Sequence, residues 1–208
     1  MTYKTISNYP EERRNITHGW CYWDDAFTTE ELDKACAYFE TQDLDKGTVI
    51  GDSEEPARVS NIKFYNWDPK NENTAWIFQK MNNVITTINN QYYGFELNGY
   101  NSFQYTEYEA SEKGKYDWHM DTILGGNKPN NLLDTRKLSV TMCVNEPGNE
   151  YEGGEFQINN GSEKECETIT TKKGRMIIFP SFMIHRVAPV TKGKRKSIVV
   201  WVEGPKFK

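Results

Sequence analysis

The chain has 208 residues, 37% of them hydrophobic and 13% aromatic, and a formal net charge of −5. That length and apolar content suit one packed domain and exclude a disordered chain, while the acidic balance argues against general nucleic-acid binding. No window approaches a membrane span, and the polar stretch from Met1 to Glu12 lacks the apolar run of a secretory signal, so the expected location is the cytoplasm.

Residues 1–19 read as an irregular lead-in, and Trp20 to Phe27 as a first strand leading into a helix. Thr28 with Glu31 three positions on forms a capping box. Leu32, Ala35, Cys36 and Phe39 follow at helical spacing, which predicts a helix over about 29–41. Residues 42–57 are polar and read as a loop, and Arg58 to Trp67 as a strand. Asn73-Thr74 opens a second helix over about 74–90, with Ile77, Met81, Val84, Ile85 and Ile88 on one apolar face.

After Gly94 the pattern changes. Short strand-like runs alternate with turn signals at 97–109, 115–121, 137–145, 154–159, 166–171, 175–180, 184–190 and 195–203. His185 to Pro189 reads as a strand, Val190 to Lys194 as a tight turn through Gly193, and the rest as the returning strand. No internal repeat is visible. The expected architecture is mainly β, a jelly roll of about 95–208 preceded by flanking helices within about 1–94, as one domain over 1–208. The cysteines Cys21, Cys36, Cys143 and Cys166 match no zinc or redox spacing and read as buried free thiols.

The chemistry-bearing pattern lies in the β part. Two of the three histidines occur as His119-Met120-Asp121 and as His185 within Phe179-Pro180-Ser181-Phe182-Met183-Ile184-His185-Arg186. Side chains two apart on a strand share a face, so His119 and Asp121 can reach one ion, and a jelly roll can bring His185 to them. Two histidines and one carboxylate suit non-haem Fe(II), leaving adjacent coordination positions open for a 2-oxo acid and dioxygen. Zinc is the competing metal, although no H-E-x-x-H helix motif is present. Ten residues beyond His185, Arg195 shares a predicted strand face with Ser197, Val199 and Trp201. A guanidinium there can grip a carboxylate by two parallel hydrogen bonds, with the Ser197 hydroxyl adding a third. Tyr108 is a weaker candidate for the co-substrate, with Gln104 and Tyr105 competing from the same run and Thr141 a possible pocket residue. The basic stretch Lys192-Gly193-Lys194-Arg195-Lys196 otherwise reads as a solvated turn. His18 is expected to be structural or exposed. The Asp121-to-Arg136 stretch, with Gly125-Gly126, reads equally as a lid or a surface loop.

These residues resemble the prolyl 4-hydroxylase-like branch of the Fe(II)/2-oxoglutarate-dependent dioxygenases, some of which are phage-encoded. The resemblance is carried by Tyr116-Asp117-Trp118-His119-Met120-Asp121, by Phe179 through Arg195, and by Tyr151-Glu152-Gly153-Gly154-Glu155-Phe156. It covers about 97–204. It implies a double-stranded β-helix, Fe(II) held by His119, Asp121 and His185, and Arg195 on the distal carboxylate of 2-oxoglutarate. It also implies O2 as co-substrate, ascorbate as a candidate reductant, and host cytoplasm if the chain is phage-encoded. The implied reaction hydroxylates a C–H bond, most often in a prolyl or other residue of a protein or peptide, releasing succinate and CO2. One departure stands out: Tyr108 is followed by the long turn Glu109-Ala110-Ser111-Glu112-Lys113-Gly114 rather than a compact Tyr-x-x-Gly. The alternatives are an oxygenase of a free amino acid or metabolite, a nucleic-acid demethylase, disfavoured by the net charge, and a non-enzymatic jelly-roll binding module.

Overall fold

The computed structural model describes residues 19–47, 56–122, 134–159 and 161–206. Two β-sheets face each other, and two helices cover the outside of the larger one. Strand β1 (Cys21–Trp23) leads to helix α1 (Thr29–Phe39). The capping box forms as the sequence predicts, with Thr28 Oγ1 accepting from the Glu31 amide and the Glu31 carboxylate accepting from the Thr28 amide. Such a cap stabilises a helix by about 1 kcal/mol. Helix α2 (Ala75–Ile88) ends in a π turn over Asn89–Tyr93, closed by Gly94 at φ +62°.

The remaining strands are β2 (Asp45–Lys46), β3 (Arg58–Val59), β4 (Asn61–Asn66), β5 (Ser102–Glu109), β6 (Lys115–His119), β7 (Asp134–Cys143), β8 (Tyr151–Gly153), β9 (Phe156–Asn159), β10 (Cys166–Ile169), β11 (Met176–Pro180), β12 (His185–Val187) and β13 (Val190–Pro205). The major sheet runs β1-β11-β7-β13-β5-β4-β2, with β8 pairing onto β13, and the minor sheet runs β10-β9-β12-β6-β3. All named strand pairings are antiparallel.

The period-2 pattern of the central strands divides the interior in two. Phe103, Tyr105, Leu138, Val140, Met142, Ile198, Val200 and Val202 point outward and meet Leu32, Phe39, Ile77, Met81 and Ile85 of the helices. Phe156, Ile158, Ile177, Phe179 and Val187 form a second core associated with the space between the sheets. The functional side chains share that inner space with them.

Three expectations are corrected. The strand expected over 58–67 is two strands: Arg58–Val59 joins the minor sheet and Asn61–Asn66 the major one. Their joint is Ser60, whose carbonyl accepts from the Gly47 amide at 2.8 Å. The turn expected over Val190–Lys194 is not a turn. The chain leaves the minor sheet after Val187, and β13 runs unbroken through Gly193 because β8, which the sequence reading left out, pairs with it there. Gly193 has φ +69°, and a Cβ would lie 2.2 Å from the Glu150 carbonyl, so only glycine suits this close pairing. The basic stretch is accordingly strand, with Lys192 paired to Glu152, Lys194 to Glu107 and Glu109, and Lys196 to Glu40.

The four cysteines are free, but only Cys143 is fully buried. No helix among the described residues is long and apolar enough to cross a membrane.

Candidate active site

His119 ends β6 and His185 begins β12, and the two are paired residues of neighbouring strands. Their rings lie 4.2 Å apart between centroids. Asp121 sits just past the end of β6 rather than within it. Its amide and that of Thr122 both donate to the Ser181 carbonyl, at 2.9 and 3.0 Å, so the segment before β12 holds the aspartate in place. The candidate ligand atoms of His119, Asp121 and His185 all lie within 4.8 Å of one another. Nε2 of His119 is 3.6 Å from Asp121 Oδ1, and Nε2 of His185 is 3.5 Å from Oδ2.

The backbone decides which imidazole nitrogen faces the centre. Nδ1 of His119 is 2.7 Å from the Asp117 carbonyl, and Nδ1 of His185 is 2.9 Å from the Met183 carbonyl. A carbonyl only accepts, so each Nδ1 carries a proton, and in the neutral ring this leaves the lone pair on Nε2. Tyr116 stacks on His119 at 3.5 Å, and the Arg58 guanidinium lies over the tyrosine ring at 4.9 Å. Phe179 packs edge-on against His185.

The electrostatics favour a cation. Burial drives His185 down to about 4, so it is neutral at pH 7. Burial alone would raise Asp121, but in the acid range below about pH 4, where His185 takes up its proton, His185, His119 and the Ser139 hydroxyl together hold the carboxyl below the usual range. Ser139 Oγ donates to Asp121 Oδ2 at 2.6 Å and lies 3.0 Å from Ser181 Oγ. With both imidazoles ligating through Nε2, two imidazoles and one carboxylate form a donor set with a single negative charge, which a divalent ion leaves net positive. The residues present therefore fit Fe(II).

Across the same space lies Arg195, 1% exposed. Nη1 donates to Ser197 Oγ at 3.1 Å, while Nε and Nη2 are buried without a partner. Two orphaned donors on one planar cation are what a carboxylate would satisfy, and a buried unpaired charge is otherwise costly. Gly154, at φ +67°, closes against the side chain: a Cβ would lie 2.9 Å from Arg195 Cδ. A cavity of about 30 Å³ opens among the lining residues.

The expected strand face forms: Arg195, Ser197, Val199 and Trp201 all line this pocket, as do Gln104, Tyr108 and Thr141. Tyr105 faces the opposite core. Tyr108 reaches Arg195 with its ring, 5.5 Å from Cζ. The long turn after it folds as a 3-10 turn over Ala110–Glu112, and Gly114 packs against the Tyr108 backbone. Ser139, Ser181, Tyr116 and Arg58 escaped the sequence reading. The signal for Ser139 was present, since Ser139 and Thr141 alternate with Leu138, Val140 and Met142. His18 and residues 123–133, part of the stretch read equally as a lid or a surface loop, lie outside the described residues.

Comparison with known proteins agrees with this geometry. Residues 103–203 match the family model of the 2OG-Fe(II) oxygenase superfamily. A PKHD-type hydroxylase of Psychrobacter sp. (strain PRwf-1) is 35% identical over 88 residues, 42% of this chain and 33% of that one. A PKHD-type hydroxylase of Xylella fastidiosa (strain 9a5c) is 37% identical over 99 residues, 44% of this chain and 40% of that one. The matched segments thus span well under two thirds of these relatives. Among solved structures, a Pseudomonas putida prolyl-4-hydroxylase superposes with a TM-score of 0.67 at 19% identity, covering 91% of this chain and 95% of that one. A Trichoplax adhaerens prolyl hydroxylase, solved with a hypoxia inducible factor peptide fragment, gives 0.68 at 18% identity, covering 89% and 84%. Over the β part the sequence is similar to the 2OG-Fe(II) oxygenase superfamily, and over nine tenths of the chain the fold is the double-stranded β-helix of the prolyl 4-hydroxylase structures.

Proposed function

We propose that the protein is an Fe(II)- and 2-oxoglutarate-dependent hydroxylase acting on a residue of a protein or peptide. The observation that carries this is the pairing, in one pocket, of a two-histidine, one-aspartate cluster with a buried arginine whose Nε and Nη2 lack partners. A jelly-roll binding module has no use for that combination.

In this reading His119 and His185 hold the metal through Nε2 and Asp121 through its carboxylate. The Asp117 and Met183 carbonyls fix the two imidazoles in the ligating tautomer. Arg195 takes the distal carboxylate of 2-oxoglutarate, with Ser197 Oγ steadying Nη1. The Tyr108 ring caps the guanidinium. When bound, the metal with 2-oxoglutarate and O2 supplies the oxidising power that turns C–H into C–OH, with release of succinate and CO2. Phe156, Phe179, Val187 and Val199 line the pocket with apolar surface, which excludes competing water.

A polypeptide substrate is supported at the mouth. Met120, Phe182 and Ile184, beside the metal-site residues in sequence, are 44%, 43% and 41% exposed. A groove of about 370 Å³ lined by Trp118, His119, Met120, Asn159 and Ile184 leads to the histidine. An apolar rim of this kind suits an extended chain better than a free polar metabolite. The test is a mass-spectrometric screen of peptides, proteins and free amino acids with Fe(II), 2-oxoglutarate and O2. A peptide gaining one oxygen atom with stoichiometric succinate is expected. Turnover of a free amino acid alone would overturn the substrate class, and failure to bind Fe(II) and 2-oxoglutarate would overturn the reaction.

A further inference from the structure

We propose that the protein has a second binding site, separate from the metal cluster, that takes a hexopyranose unit, either free or within a saccharide chain. The site is a cleft of about 410 Å³ where the segment after β4, helix α2, the turn before β5 and the tail of β13 meet. That volume falls in the range of small-ligand pockets, about 300–1,000 Å³. None of its lining residues lines the pocket of His119 and Arg195, so the proposal does not depend on the 2-oxoglutarate reading.

The cleft is built on a fixed aromatic platform. Trp67 is 45% exposed, and its ring meets Phe78 edge-on, 5.3 Å between centroids at 71°. Phe78 in turn stacks on Tyr100 at 5.7 Å and 15°, and the Tyr100 hydroxyl donates to the Phe78 carbonyl at 3.3 Å. The backbone is tied as well. The Trp67 amide donates to the Asn101 carbonyl at 2.8 Å, and the Asn98 and Gly99 amides donate to the Glu203 carbonyl at 2.8 and 3.3 Å. A platform set before the ligand arrives lowers the ordering cost of binding.

Around the indole stand four carboxamides, Gln79, Asn82, Asn98 and Asn101, and one carboxylate, Glu203, all on exposed residues. A carboxamide offers both donors and an acceptor, and a carboxylate offers acceptors. No lysine, arginine or histidine is among the lining residues, so phosphate and other anions find no counter-charge there. The ligand that fits is neutral, carries hydroxyls that both donate and accept, and has a flat C–H face to lie against an aromatic ring. A pyranose has all three properties. An extended polypeptide is instead held by a row of anchors along its length, whereas Trp67 is the one strongly exposed ring of this cleft.

The test is a nuclear magnetic resonance titration of the isotope-labelled full chain at millimolar saccharide. The probes are the methyl glycosides of glucose, galactose and N-acetylglucosamine, together with cellotriose, maltotriose and chitotriose. At least one is expected to shift the Trp67 indole N–H resonance saturably. Binding of a methyl glycoside marks a site for a single unit, and binding of trisaccharides alone marks a site for a chain; both support the proposal. Trp67→Ala is expected to abolish binding. Asn82→Ala is expected to weaken it roughly threefold to tenfold, the loss of one modest hydrogen bond, and stands in if Trp67→Ala folds poorly. The affinity of the Fe(II)-loaded protein for 2-oxoglutarate is expected to stay at wild type in both variants. A panel in which no saccharide shifts the indole overturns the proposal. Saccharide binding undiminished in Trp67→Ala, or in Asn82→Ala where that stands in, also overturns it, because the sugar then sits elsewhere. A proline-rich peptide that shifts the indole when no saccharide does would give the cleft to a polypeptide and overturn it as well.

Discussion

Arg195→Met probes the clamp through stability rather than activity. Arg195 is among the largest fully buried side chains, and two of its donors have no partner. Replacing buried ionic groups by apolar ones of similar volume is often stabilising, by about 1–4 kcal/mol. The roughly 30 Å³ left unfilled beside it has room for a water molecule, which would soften the penalty. The gain should therefore sit in the lower half of that range, about 1–2 kcal/mol. For a chain of this size each kcal/mol moves Tm by about 2–4 °C, so the metal-free variant should melt about 2–8 °C above wild type. The same change should abolish the rise in Tm that wild type shows with 2-oxoglutarate, which amounts to about 2.7 kcal/mol at a ligand concentration of 100 Kd. Thermal melts with and without ligand, under nitrogen and with Fe(II) present in the ligand series, read both effects. A variant melting below wild type would refute the claim that Nε and Nη2 of the guanidinium lack partners. A variant still stabilised by 2-oxoglutarate would refute its assignment to the carboxylate.

Further outcomes follow from the metal end. His185→Ala should remove Fe(II) binding measured by calorimetry while leaving a folded protein, and retained stoichiometric iron would show that the ligands lie elsewhere. Ser139→Ala takes away the hydroxyl donating to Asp121 Oδ2, and iron affinity should fall about tenfold, the scale seen for groups that support metal ligands; unchanged affinity would make that bond incidental. The metal-free protein should lose stability on acidification. His185 in the folded state is pushed down to about 4 from an ordinary value of 6.5, so between those values the unfolded chain binds the extra proton. The penalty grows as pH falls through 6.5 and is complete below about 4, amounting to ~3 kcal/mol. Asp121, held low, extends the loss below pH 3.8. A guanidinium chloride midpoint unchanged from pH 7 to pH 4.5 would contradict a neutral, buried His185.

The sequence carried the parts of the site that depend on residue type and spacing. The cluster of His119, Asp121 and His185 was legible because these residue types suit a metal and because period 2 on a strand puts neighbours-but-one together. The Arg195 face was legible for the same reason, since Arg195, Ser197, Val199 and Trp201 keep strict alternation with Ile198, Val200 and Val202. What failed was local connection. Gly193 in a run of lysines has the composition of a turn, and short-range chemistry cannot reveal that β8 lies against it. Arg58 to Asn66 reads as one strand because nothing in its side chains marks Ser60 as the point where the chain passes from one sheet to the other. The helices were read nearly to the residue because a capping box and an apolar stripe are local signals.

The residues that escaped notice share a different cause. The two sheets divide the site: His119 and His185 stand on the minor sheet, Arg195 and Ser197 on the major one. A metal and a co-substrate gripped from opposite sheets need the sheets tied together in register. Ser139, on β7 of the major sheet, donates to Asp121, while the Ser181 carbonyl accepts from the Asp121 amide and the Ser181 amide donates to the Lys137 carbonyl. Those ties pin the aspartate between both sheets, and they use the commonest polar side chain and the backbone, which have no sequence signature. The groups that do chemistry are thus legible from residue type, whereas the groups that hold them at the right distance emerge only when distant strands are paired.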